Sequence, residues 1–260
     1  MEIREKIINE INKIEEEENI KIILAVESGS RAWGFESKDS DYDVRFIYVR
    51  PIEWYLRVFE GRDVLEYPIN DELDICGWDL KKALQLFNKS NPPLLEWMKS
   101  GIVYKKSYTI IDKMEKIVDK TISKKPLIYH YLHMARGNFR EYLQGDMVKI
   151  KKYFYVLRPV LACIWIEKYN EIPPVEFDKL KKVITDERLI EIVENLLVRK
   201  KRGDEMNLEA RIDYLNNFLN EKIDYYEKYA YGLDEIKRNS IELEGIFIEG
   251  LKEVWGNIIK

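Results

Sequence analysis

The sequence predicts an α+β protein, with a mixed sheet-and-helix domain over residues 1–105 and an all-helical domain over residues 106–260. Three observations carry this expectation. Residues 20–26 (IKIILAV) and 42–49 (YDVRFIYV) are compact runs rich in β-branched and aromatic residues, the composition of strands. Beyond residue 106 strand signals stop. Helical periodicities then follow one another over 107–122, 126–144, 149–169, 184–202, 207–229 and 234–258, separated by Gly145, Pro173-Pro174, Gly203 and Gly232.

Taken in order, residues 3–18 read as a helix, because Ile3, Ile7, Ile11 and Ile14 fall on one face. The run 20–26 ends just before Gly29 and fits a buried strand. The run 42–49 stops at Pro51, which cannot donate to a ladder. Residues 63–67 and 73–76 are short strands. Asp79 is placed to cap a helix that runs through Leu84 to Phe87, since its carboxylate can accept from unpaired amides of the first turn. Asn91-Pro92-Pro93 ends that helix.

Composition narrows the function classes. With 260 residues, 46% of them hydrophobic and 35% charged, the chain can build a sizeable core and is not disordered. A net charge of -4 argues against nucleic-acid binding through the whole surface, although 43 Lys and Arg leave room for a local basic groove. Cys76 and Cys163 both lie in apolar runs and read as core thiols of a reducing compartment. The apolar run Ile22–Val26 is too short to span a bilayer, and residues 1–20 carry charges from the second residue onward. The expectation is a cytoplasmic protein with no membrane partner.

The span ESGSRAWGFESKDSDYDVRFIYV, residues 27–49, concentrates the chemistry. Asp39, Asp41 and Asp43 match the first three positions of a calcium loop, but that loop needs glycine at position six and glutamate at position twelve. Val44 and Arg50 stand there instead. An aspartyl-nucleophile phosphatase would place its Asp pair after a buried strand, whereas here the strand follows the pair. A DxD sugar-nucleotide site gives Gly29-Ser30 no role.

One reading uses all of these residues. Strand alternation puts Asp41 and Asp43 on one face, where two carboxylates repel unless a cation lies between them. Gly29-Ser30 closes the preceding strand, and its amides and hydroxyl suit a phosphate. Asp74, flanked by Leu73 and Ile75, would complete a metal cage; Asp71 or Glu72 would take its place if the strand register slipped. Oxygen-only ligands favour Mg²⁺, and two such ions about 3.5–4 Å apart clamp an in-line phosphoryl displacement. Asp39 reads as a loop acid, and Glu27 and Ser28 read as structural. Arg31 is open between a phosphate contact and a structural salt-bridge donor.

A Gly-Ser turn, then Asp-x-Asp, then a single Asp in a later strand resembles the polymerase-β nucleotidyltransferase superfamily. SGSRAWGFESKDSDYDVRFIYV, ELDICGWDL and KKYFYVLRPVLACIW are similar to one branch, the predicted nucleotidyltransferases of the RlaP/YcgL type, associated by name with RNA repair. The resemblance covers most of residues 20–170. It implies a polymerase-β-like mixed sheet followed by helices, with Asp41 and Asp43 on both metals. Asp74 would bind the catalytic metal and help deprotonate the acceptor, and Ser30 would hold the triphosphate. The implied cofactor is Mg²⁺, with Mn²⁺ as a substitute, and the substrate is a nucleoside triphosphate.

In the helical half, Lys151, Tyr155 and Arg158 share a face and are candidates for neutralising that triphosphate; the alternative for Arg158 is a structural ion pair. Pro159 is expected to kink their helix. His130 and His133 lack companions for a zinc site and read as ordinary helical residues. Tyr129, Tyr131, Phe139 and Tyr142, with Arg136 and Arg140, read as core or as a stacking surface for a nucleotide. The basic run Arg199–Arg202 suits a helix C-terminus or RNA. The expected reaction transfers a nucleoside monophosphate from an NTP to an acceptor hydroxyl and releases pyrophosphate. An RNA end is the first acceptor considered. A protein or small-molecule hydroxyl is the alternative, and a non-catalytic nucleotide-binding partner is the third.

Overall fold

The computed structural model describes residues 2–37, 40–68, 72–204, 207–234 and 240–256. The chain begins with α1 (Ile3–Glu17), β1 (Lys21–Glu27), α2 (Gly29–Trp33), β2 (Tyr42–Val49), α3 (Ile52–Tyr55), β3 (Val64–Glu66) and β4 (Leu73–Asp79). It continues through α4 (Leu80–Asn88), α5 (Pro92–Met98), β5 (Val103–Lys106), α6 (Ile110–Lys116), α7 (Val118–Thr121) and α8 (Lys124–Tyr142). Then come β6 (Met147–Lys149), α9 (Ile150–Tyr169), α10 (Phe177–Leu180) with a following 3-10 turn, and α11 (Glu187–Lys201). Last are β7 (Leu208–Ala210), α12 (Asp213–Tyr231) and α13 (Ser240–Trp255).

Two compact units result. The first comprises Met1–Ala32, Asp41–Ile122 and Ile236–Lys260, and the second Trp33–Ser40 and Ser123–Glu235. The division therefore falls elsewhere than the single boundary at 105/106. Short α6 and α7 remain with the sheet unit, and α13 joins it from the far end of the chain, packing on α4 and α6. Gly250 explains part of that return. A Cβ there would meet Ile110 at 2.9 Å, so the missing side chain permits the close approach.

The first unit is built on a five-stranded sheet of order β3-β4-β2-β1-β5. Only β2 and β4 run parallel; the other pairs are antiparallel. The buried Ile7, Ile11 and Ile14 of α1 join Val44, Phe46, Tyr48, Leu73 and Ile75 in one core layer, as the isoleucine spacing predicts. Alternation sends Asp43 and Arg45 of β2, and Asp74, Cys76 and Trp78 of β4, to the opposite face. On that face Trp97 of α5 stacks on Trp78 at 3.8 Å. Asp79 accepts from the Lys81 amide and caps α4, as expected. Strand β5 was not foreseen: Val103–Lys106 is a short edge strand beside β1 with weak alternation.

In the second unit α8 and α9 pack along each other, α12 packs against both, and α10 and α11 pack on α9. The expectation of an all-helical half is corrected by a small antiparallel pair, β6 with β7, joining Met147–Lys149 to Leu208–Ala210. Three-residue strands give too little periodicity to detect. The basic run at the end of α11 is not a purely solvated face. Arg199 pairs with Glu209 of β7, while Lys200 is buried with its ammonium 5.2 Å from the Phe35 ring centre. Phe35 itself sits among Phe154 and Phe177, with centroids at 5.0 and 5.4 Å. Among the described residues no helix is long and apolar enough to cross a membrane.

Candidate active site at the parallel strand pair

Strand β1 delivers the chain to the site. Six buried residues, Ile22 to Glu27, lock it in the sheet, and the ladder to β2 continues through the Ser28 amide, which donates to the Asp43 carbonyl at 2.8 Å. Gly29 then turns with φ +60°, a conformation that costs an L side chain energy. It also faces Asp43 directly, since a Cβ on Gly29 would stand 2.0 Å from Asp43 Oδ2. Glycine is required here twice, for the turn and for the carboxylate's room. Ser30 and Arg31 follow in the single turn of α2.

Parallel pairing fixes the acids. Asp43 lies directly opposite Asp74 across β2 and β4, so the two carboxylates project side by side from one face. Leu73 and Ile75 are buried on the other face, the register that makes Asp74 the facing acid. Glu72, the neighbouring alternative, pairs instead with Lys6 at 3.4 Å, and Asp71 lies outside the described residues. Asp39, assigned to loop chemistry, also lies outside them.

Arg45, which sequence reasoning passed over, and Glu27, which it read as structural, complete this geometry. The Arg45 guanidinium bridges the pair, with Nη2 donating to Asp43 Oδ1 at 3.0 Å and to Asp74 Oδ2 at 2.7 Å. Its Nη1 donates to the main-chain carbonyl of Asp74 at 2.8 Å and to that of Val44 at 3.2 Å. The signal was present: Asp41, Asp43 and Arg45 alternate, so a strand places Arg45 on the face of Asp43. Glu27, almost fully buried, accepts the Asp43 amide hydrogen on Oε1 at 2.8 Å and the Tyr104 hydroxyl hydrogen on Oε2. Ser100 Oγ donates to the Glu27 carbonyl at 2.7 Å. Asp43 is thus held through both its main chain and its side chain.

Burial is the main force raising the Asp43 pKa above its ordinary value; Arg45 opposes it, while the charges of Asp74 and Asp41 add to it. Burial likewise raises Glu27, against the hydrogen bonds from Tyr104 and the Asp43 amide. Two half-exposed carboxylates side by side offer hard oxygen donors to a divalent cation. Asp43 and Asp74 keep 29% and 31% of their side chains exposed, enough for an ion or phosphate to reach them. The pair fits Mg²⁺ by donor chemistry. Among the described residues, however, no group of three or more His, Cys, Asp or Glu is gathered as a cage. Asp41 is exposed, and the site brings two of the three expected ligands together.

The remaining candidates have definite places. Arg31 lies over the Tyr42 ring, 3.7 Å from its centre, and its Nε donates to the Asp41 carbonyl at 3.2 Å. It thereby braces the entry to β2. Lys151, Tyr155 and Arg158 belong to the second unit. Tyr155 is exposed, with Lys152 rather than Lys151 against its ring at 5.0 Å. Arg158 is buried and lies 4.4 Å from the Trp33 ring centre, so the three do not form one exposed stripe. Helix α9 runs on through Pro159. His130 and His133 lie on α8 and join no group of three or more His, Cys, Asp or Glu among the described residues.

Comparison with known proteins extends the resemblance along nearly the whole chain. Residues 3–249 match the family model described as "RlaP: RNA repair pathway DNA polymerase beta family". A curated relative, "Uncharacterized protein YcgL" of Bacillus subtilis (strain 168), is 49% identical over 255 residues, covering 97% of this chain and 98% of that protein. The crystal structure of a nucleotidyltransferase-like protein from Exiguobacterium sibiricum 255-15 is similar over 95% of this chain and 80% of that one. Its identity is 12% and its TM-score 0.32, too slight a likeness to build on. The family match reaches well past residue 170, into the segments where no motif was recognised. The chain belongs to the RlaP family, the polymerase-β-type family of the RNA repair pathway.

Proposed function

We propose that this protein is a metal-dependent nucleotidyltransferase that moves a nucleoside monophosphate from an NTP to an RNA end and releases pyrophosphate. The observation that carries the reading is the side-by-side placement of Asp43 and Asp74, with Gly29 pressed against Asp43. Family membership supports both the reaction and the RNA acceptor.

In this reading Asp43 and Asp74 hold Mg²⁺, or Mn²⁺ in its place, and Asp41 joins them at the mouth of β2. The bound ion supplies charge neutralisation of the triphosphate and acidifies the acceptor hydroxyl. Ser30 and the amides after Gly29 cradle the phosphates. Asp74 receives the acceptor's proton as its oxygen attacks the α-phosphorus; the bond to the β-phosphate oxygen breaks, and its electron pair leaves with pyrophosphate. Most of the catalysis is positioning and electrostatics, so no nucleophilic side chain is needed. Arg31, Lys151, Tyr155 and Arg158 are proposed as nucleotide contacts, and the cytoplasm as the setting.

The test is incubation with each α-³²P-labelled NTP, Mg²⁺ and RNA of defined ends. Label in RNA supports the proposal. Label in protein or in a small product moves the acceptor to that class. No label with any nucleotide overturns the enzyme reading.

A further inference from the structure

We infer that Arg45 is a built-in counter-ion that competes with the metal for Asp43 and Asp74. The inference rests on the proposed function and adds a control on when the metal binds. One guanidinium nitrogen holds both carboxylates, at 3.0 and 2.7 Å. The other nitrogen is tied to the Asp74 and Val44 carbonyls, which the β2–β4 ladder keeps fixed. The head is therefore not a loose surface charge. Only 17% of the Arg45 side chain is exposed, and its main-chain anchors hold the positive charge beside the acids even if the carboxylates turn toward an ion.

Two consequences follow from charge alone. The two carboxylates can lie adjacent without a metal, because one guanidinium bridges them. A divalent ion must then compete with that one nitrogen, or use the carboxylate oxygens it leaves, beside a fixed positive neighbour. Metal alone should bind weakly. Metal arriving with a triphosphate should bind well, because the phosphates add negative charge and ligands that offset Arg45. Arg45 thus ties metal occupancy to the presence of nucleotide.

Mn²⁺ binding to the full chain, read from the electron paramagnetic resonance signal of the free ion, tests this without requiring turnover. Arg45→Gln is expected to bind Mn²⁺ about tenfold more tightly than wild type in the absence of nucleotide. Arg45→Lys keeps the charge and is expected to remain as weak as wild type. The gain in Mn²⁺ affinity on adding ATP should shrink in Arg45→Gln. If Arg45→Gln, shown folded by circular dichroism, binds Mn²⁺ no better than wild type, the counter-ion role is overturned. If both variants bind more weakly, Arg45 positions the acids rather than competing for them, which also overturns it. If wild type and variants bind no Mn²⁺ even with ATP, the proposed function itself fails, a result distinct from the other two.

Discussion

Substituting Gly29 by Ala separates the cost of a turn from the cost of moving Asp43. The new methyl group would stand 2.0 Å from Asp43 Oδ2, while real contacts of this kind stay beyond 3.0 Å, so the carboxylate must retreat by about 1 Å. Alanine at φ +60° also carries left-handed strain of about 1–2 kcal/mol. Gly203 provides the matched control. Its φ is +95°, and a Cβ there meets nothing within 4 Å, so Gly203→Ala pays the strain without the collision. Both variants should melt about 2–8 °C below wild type. Nucleotide transfer should divide them. A displacement of this size at a reacting centre costs on the order of 10²-fold in rate, and only Gly29→Ala incurs it. The assay is steady-state transfer of α-labelled nucleotide at saturating Mg²⁺, beside thermal melts of all three proteins. Equal activity in the two variants would refute the claim that Gly29 is there to admit Asp43.

Further expectations concern the surroundings of the site and the fold. Glu27→Ala strands the Asp43 amide and the Tyr104 hydroxyl inside the protein and should lower stability by about 1–3 kcal/mol, read from denaturant midpoints. Glu27→Gln keeps an acceptor and should lose less than half as much; an alanine variant as stable as wild type would contradict the bonding described. Gly77→Ala would press a methyl group to 2.1 Å from the fully buried Phe46 ring and should cost about 1–3 kcal/mol, with an unchanged melting curve as the contrary result. Asp79, fully buried, has its pKa pushed up to about 6, chiefly by burial, from 3.8 in the unfolded chain. The folded state therefore binds the proton more tightly, and stability should fall by about 3 kcal/mol as pH rises from roughly 4 to 6, then level off. Asp79→Asn, which can still accept from the Lys81 amide, should lose this decline. Parallel pH profiles for the two proteins would contradict it.

Much of this was legible in the sequence because it depends on local pattern. The isoleucine spacing of α1, the β-branched run of β2, the Leu73-Asp74-Ile75 alternation and the Asp79 cap all express rules acting over a few residues. Their outcome placed Asp74 opposite Asp43. What was missed depends on tertiary choice. The apolar face of α13 announces that it must be covered, but not that α4 and α6 cover it from more than a hundred residues away. Lys200 looked like one cation of a helix-terminal or RNA-binding run, and its burial against Phe35 follows from where the Trp33–Ser40 segment packs. Glu27 looked structural and is structural, but what it supports is the main chain of Asp43 itself. Arg45 stood in plain alternation with the acids. A search for anionic ligands gives no weight to a cation among them, although a paired carboxylate site needs one.

The proposed transfer depends most heavily on the chemistry of the Asp43–Asp74 pair. The direct measurement is transfer of α-labelled nucleotide by Asp43→Asn and by Asp74→Asn, each confirmed as folded. Both should fall by at least about 10³-fold from wild type, since each removes a charge that nothing nearby replaces. Transfer by either variant within a few-fold of wild type would show that the chemistry lies elsewhere.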